Sequence, residues 1–202
     1  MPAGISTTSD AHFIGLNMPG SMKKQARPDK AAIFHSRFNF HQGKKGAVME
    51  RKMRRKDREI SANKAKAILE KGEFGVLSTV SPDGQPYGVP INYCCTGKAI
   101  YFHCAVDGHK LENLKKNSKV SFCVVGKTEV LPDKFATRYE SAIVFGKAVE
   151  LTGDEKHSAL LEIVKKYSPT FIEEGLQYIE NASAKARAYK IVIESITGKS
   201  RE

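Results

Sequence analysis

Two apolar periods alternate along the chain from residue 61 onward. In "SANKAKAILEKG", Ala65, Ile68 and Leu69 recur at helical spacing between a Ser61 N-cap and a stop at Gly72, which predicts a helix. "EFGVLSTV" is β-rich and ends at the Pro-Asp-Gly turn of "SPDGQP". "YGVPINYCC" reads as the next strand, "TGK" turns, and "AIYFHCA" pairs back, so a hairpin series and an antiparallel sheet are expected. A short helix is predicted from Asp107 to Lys116, then a strand at "KVSFCVVG", a loop at "KTEVLPDKFATR", and a long strand at "YESAIVFGKAVEL". Thr152 and Glu155 have capping-box spacing. Ala159, Leu160, Ile163, Val164 and Tyr167 form the apolar face of the helix that follows, a second helix covers "PTFIEEGLQYIENA", and "AYKIVIESI" closes as a strand. Five or six strands with short helices between them predict a small, mainly β antiparallel barrel.

The first 52 residues show no such period. With Gly, Pro, Ser and scattered Phe, they read as a mobile N-terminal arm (1–52) preceding a folded body (53–202). Charge sharpens the division. The net charge is +11, of which residues 1–56 carry +9 and the rest only +2. The basicity belongs to the arm, so a nucleic-acid role for the near-neutral body is not expected.

No apolar run approaches the roughly 18 residues that a membrane span needs. "HFIGL" is too short for the apolar region of a signal peptide, so a non-membrane protein is expected. Cys94, Cys95, Cys104 and Cys123 lack CxxC spacing and sit in strand-like runs, as reduced cysteines of a cytoplasmic protein would.

The stretch carrying chemistry is "YFHCAVDGHKLENLKK", Tyr101 to Lys116. His109 and Lys110 fall in the first turn of the predicted helix, where basic side chains oppose the helix dipole. An anion bound there offsets that cost, and amides, dipole and two cations together suit a phosphate. A solvated basic turn would look the same, so spacing alone leaves both readings open. A metal site built from His103, Cys104, His109 and Cys123 is not expected, because neighbouring strand residues point to opposite faces. The same geometry disfavours a Cys-His nucleophile pair. Pro90 cannot donate to a ladder, which places its strand at an edge or bulge.

Taken together, "RRKDREI", the run from "GVLSTV" to "GHKLENL", "KVSFCVV" and "YESAIVFGKAVEL" resemble the flavin-binding split-barrel family that includes pyridoxamine 5'-phosphate oxidase. The likeness extends over about residues 53–199 and is greatest to the nitroimidazole-resistance (Nim-type) branch. It implies a six-stranded antiparallel FMN-binding split barrel, with flavin at the subunit interfaces of a homodimer. By the same resemblance, Val89, Pro90, Ile91 and Asn92 flank the isoalloxazine, and Phe102 and His103 contact it from the next strand. His103 corresponds to the histidine of Nim-type proteins and is the candidate catalytic residue. Gly108, His109 and Lys110 match the phosphate-binding turn, and Ser141 is a polar contact. The cofactor implied is FMN, with FAD as the alternative, and the activity is reduction of a small nitroaromatic acceptor; a non-catalytic flavin binder is the second possibility. The chain lacks tryptophan and the oxidases' arginine-rich C-terminal motif, so pyridoxamine phosphate oxidation itself is not expected.

Overall fold

The computed structural model describes residues 52–97 and 99–202; the predicted arm, but for Lys52, lies outside them. Twelve elements follow in order: β1 (Glu59–Ile60), α1 (Ala62–Lys71), β2 (Phe74–Val80), β3 (Pro86–Asn92), β4 (Cys94–Thr96), β5 (Ala99–Cys104), α2 (His109–Lys116), β6 (Lys119–Leu131), β7 (Ala136–Leu151), α3 (Gly153–Tyr167), α4 (Ile172–Ala182) and β8 (Arg187–Arg201). All described strand pairs are antiparallel, in one sheet of order β3-β2-β6-β7-β8-β5-β4, with β1 on β8. The sheet has eight strands and does not close, where six were expected.

Both extra strands have a clear origin. β1 is a two-residue addition to β8, and "YGVPINYCC" splits at Tyr93. There the backbone bonds to α3 instead of to a strand. The Tyr93 N–H donates to the Tyr167 hydroxyl at 2.9 Å, and Lys166 Nζ donates to the Tyr93 carbonyl at 2.9 Å. Lys166 also donates to the Gly72 carbonyl at 2.6 Å, tying α3 to the end of α1. Gly72 is needed for space: a Cβ there would lie 2.5 Å from Val124 Cγ1 and 2.7 Å from the Tyr93 hydroxyl oxygen.

Alternation in the strands sorts the two faces of the sheet. Leu77, Ile100, Phe102, Phe122, Val124, Ala142, Val144 and Ile191 are buried in the main core, covered by Ala65, Ile68 and Leu69 of α1, as the helical spacing predicts. A second cluster packs Leu151 and Ala188 against Ala159 and Leu160 of α3 and Ile179 of α4. Ser61 caps α1, its hydroxyl accepting the Lys64 N–H at 3.3 Å.

Two local expectations fail. The predicted capping box does not form: Thr152 makes no side-chain cap, and Glu155 instead pairs with Lys190 at 3.1 Å. A strong cation on the adjacent β8 outcompetes a backbone amide for that carboxylate. The loop "KTEVLPDKFATR" is mostly hairpin, because β6 runs to Leu131, β7 starts at Ala136, and Glu129 pairs with Arg138 across them at 2.8 Å.

Candidate functional site

α2 begins at His109, and Gly108 immediately before it has φ 119°, a conformation glycine adopts without Cβ strain. Among the described residues no side chain caps this helix start; the Gly108 carbonyl accepts from the N–H groups of Leu111 (2.9 Å) and Glu112 (3.2 Å). Nothing among the described residues lies within 4 Å of where a Cβ on Gly108 would project. His109 is exposed and Lys110 half-buried. An uncapped, open helix start with an imidazole and an ammonium in its first turn has the donor set of an anion site.

The site rests on β2 and β3. The His109 ring lies 4.3 Å from that of Tyr87, centroid to centroid. Asn113, a turn into α2, donates from Nδ2 to Thr79 Oγ1 at 2.9 Å, and both are buried. The Asp83 carboxyl, in the turn between β2 and β3, is held below the usual range. The Ser81 hydroxyl and Gln85 amide bond to it, and the charge of His109 contributes.

His103 lies six residues upstream of His109 on β5. It pairs with Ala188 and so points to the α3–α4 side of the sheet, away from the barrel core. Its Nδ1 is buried and has no hydrogen-bond partner among the described residues, and burial pushes the imidazole below its ordinary 6.5. A buried ring nitrogen without a partner among the described residues, on the strand that leads into the basic turn, is a group that a bound ligand would satisfy.

The predicted residues separate into groups. Val89 and Ile91 turn inward against the core, while Pro90 and Asn92 are exposed on the outward face of β3, which is the edge strand that Pro90 requires. Phe102 does not offer its side chain: it is 0% exposed and stacks on Tyr189 at 5.4 Å inside the barrel, so any ligand contact there comes from its backbone. Within one chain, Ser141 lies far along the sheet from His103. It lies ten residues along β7 from Leu151, the β7 residue in the row of His103, or roughly 30 Å at the rise of a strand. Instead it shares the outward sheet face with Pro90 and Asn92, through the paired row Pro90–Val76–Cys123–Ile143.

Burial holds the thiols protonated, with Cys94 pushed up to about 12 and Cys95 to about 11, so neither is an activated nucleophile. A cavity of about 270 Å³ between β5 and α3 is lined by Tyr101, Asp154, Glu162 and Lys190 among others, and by none of the predicted site residues. Sequence reasoning missed Tyr87, Thr79, Asn113 and Arg187, the residues that hold the α2 turn. They come from β2, β3, the inner face of α2 and β8, and no linear motif connects them.

Comparison with solved structures agrees on the fold. A candidate 5-nitroimidazole antibiotic resistance protein from Bacteroides thetaiotaomicron superposes with TM-score 0.61 at 23% identity, over 70% of this chain and 85% of that one. An FAD-binding protein from Mesorhizobium loti gives 0.52 at 24%, over 72% and 98%. The FAD and heme binding protein from Mycobacterium smegmatis gives 0.61 at 19%, over 72% and 74%. No curated protein matches the sequence. The family model for pyridoxamine 5'-phosphate oxidase matches residues 61–200, from the cap of α1 almost to the end of β8. The chain belongs to that flavin-binding split-barrel family.

Proposed function

We propose that the protein is an FMN-dependent reductase that passes electrons from a reduced donor to a small acceptor of the nitroaromatic class. The observation that carries this reading is the orphaned Nδ1 of His103 at the strand end that leads into the uncapped, basic start of α2. Lys110, His109 and the first-turn amides would hold the phosphate. The backbone of β3 from Val89 to Asn92 and that of Phe102 would flank the ring. When bound, the flavin supplies the hydride and electron transfer. His103 contributes a neutral imidazole whose free Nδ1 accepts a hydrogen bond or a proton from ligand or acceptor. A single short basic turn suits the terminal monoester of FMN, and FAD is the alternative.

The working unit in this reading is a homodimer. Phe74, Val76, Val125, Ile143 and Phe145 are all exposed on the outward sheet face. Pro90, Asn92 and Ser141 share that face, so a second copy docked there would cover the apolar side chains and bring Ser141 to a shared site. Four free thiols support a reducing, cytoplasmic setting, and among the described residues no helix is long and apolar enough to cross a membrane.

The absorption spectrum of the full-length protein tests the function. Flavin bands bleached by NAD(P)H and restored by a nitroaromatic support it. Bound flavin that no donor reduces favours a non-catalytic binder, and failure to bind FMN or FAD on reconstitution sinks both.

A further inference from the structure

We infer that Arg187 is a positioning residue for the anion-binding turn, and so sets how well the site distinguishes a phosphorylated flavin from an unphosphorylated one. This rests on the phosphate reading of the α2 start. Arg187 opens β8 opposite Cys104, the last residue of β5. Its Nε donates to the Val106 carbonyl at 2.9 Å, two residues before Gly108. Its Nη1 donates to both carboxylate oxygens of Glu150 on β7, at 2.9 and 3.1 Å. The Tyr189 hydroxyl completes the set, donating to Glu150 Oε2 at 3.1 Å.

The consequence is geometric. The segment from Val106 to Gly108 crosses from a strand to a helix through a positive-φ glycine and has few ways to hold its own register. Asn113 pins α2 from the β2 side, but only one turn beyond its start. Arg187 pins the other end, and Glu150 and Tyr189 fix the guanidinium that does so. A planar fork with several donors can grip a carbonyl and a carboxylate together, which a lysine ammonium on a flexible stem does less well. Arg187 and Lys110 also both lie within electrostatic reach of Cys104, the last residue of β5 before the turn.

The test compares FMN with riboflavin, which has the same ring and no phosphate, on the full-length chain stripped of cofactor. Arg187→Ala is expected to weaken FMN by about tenfold, the scale of one lost charge-assisted bond, while riboflavin affinity changes far less. Arg187→Lys should fall between wild type and Arg187→Ala, and it keeps the test open where the alanine variant does not fold. A purely structural arginine would lower the melting temperature and weaken both ligands equally, leaving the FMN-to-riboflavin ratio unchanged; that result overturns the inference. Lys110→Ala serves as the control. An altered ratio in Lys110→Ala with none in either Arg187 variant refutes the clamp and leaves the phosphate reading standing. An unaltered ratio in Lys110→Ala as well overturns the phosphate reading and the clamp together.

Discussion

The imidazole of His109 is tilted 38° against the ring of Tyr87, so the first residue of α2 is held by the edge strand beneath it. That contact divides the labour between the two basic residues of the turn. His109 is exposed and committed to Tyr87, while Lys110 is half-buried and makes no described side-chain bond, so Lys110 is the principal cation of the site. Lys110→Ala should weaken FMN by about 1.5–3 kcal/mol, the range for a bond to a charged group. His109→Ala should cost less than half as much. Flavin-fluorescence titration measures both, and a larger loss for His109→Ala would reverse the assignment.

His103 gives the protein a pH signature with a definite sign. Burial favours its neutral form, so the unfolded chain takes up this proton more readily than the folded one. Stability associated with His103 is therefore complete above about pH 6.5 and is lost as pH falls below it. His103→Gln, which cannot titrate, should flatten this part of the melting-temperature profile between about pH 7.5 and 5. The gap between wild type and variant should narrow or invert on acidification. A gap constant with pH would show that the imidazole is not desolvated. If the proposed role is right, turnover with an artificial acceptor also falls in the variant at pH 7.5.

Much of the fold was legible in the sequence because its signals are local. Ser61 as a cap, the Ala65, Ile68 and Leu69 stripe and the Pro-Asp-Gly turn each act within a few residues. The failures are the places where a distant partner decides. Glu155 has the right spacing for a capping box but meets Lys190, 35 residues away. "YGVPINYCC" has the pattern of one strand but is interrupted by Tyr167 and Lys166, more than 70 residues on. The site divides in the same way. The turn at Gly108, His109 and Lys110 is contiguous and could be seen, whereas Arg187, Thr79 and Tyr87 are joined to it only by the fold. Phe102 is a flavin contact by family resemblance, and strand alternation puts its side chain on the core face.

The outward sheet face makes the dimer testable with one charge. Ile143 lies opposite Cys123, which lies opposite Val76, in a row flanked by exposed Phe74, Val125 and Phe145. Ile143→Asp adds a carboxylate to this patch without touching the core, because its neighbours Ala142 and Val144 face inward. The variant should fold with little change as a monomer but sediment as a smaller species at micromolar concentration, and it should lose flavin. Sedimentation identical to wild type, with flavin retained, would remove this face as the interface.

The last prediction concerns Asn113 and Thr79, the two polar side chains buried among the described residues, each 1% exposed. Asn113 Nδ2 donates to Thr79 Oγ1 at 2.9 Å, and the Thr79 hydroxyl in turn faces the Tyr87 carbonyl at 3.5 Å, a long and weak contact. The pair links α2 to the strands below it through a bond that water cannot replace. Asn113→Leu has nearly the same shape but strands a buried hydroxyl, at a cost of about 1–3 kcal/mol. Thr79→Val strands the amide in the same way. Removing both polar groups leaves two apolar side chains in contact, and such a swap can be close to neutral. The double variant should therefore be more stable than the sum of the single losses, with a coupling of about 1 kcal/mol or more in a denaturant-unfolding cycle. Strict additivity would mean that the bond contributes nothing specific and that α2 is held by packing of Leu111 and Leu114 alone. If stability returns in the double variant while FMN affinity does not, the bond's role is to fix the register of α2, and with it the position of Lys110 at the helix start.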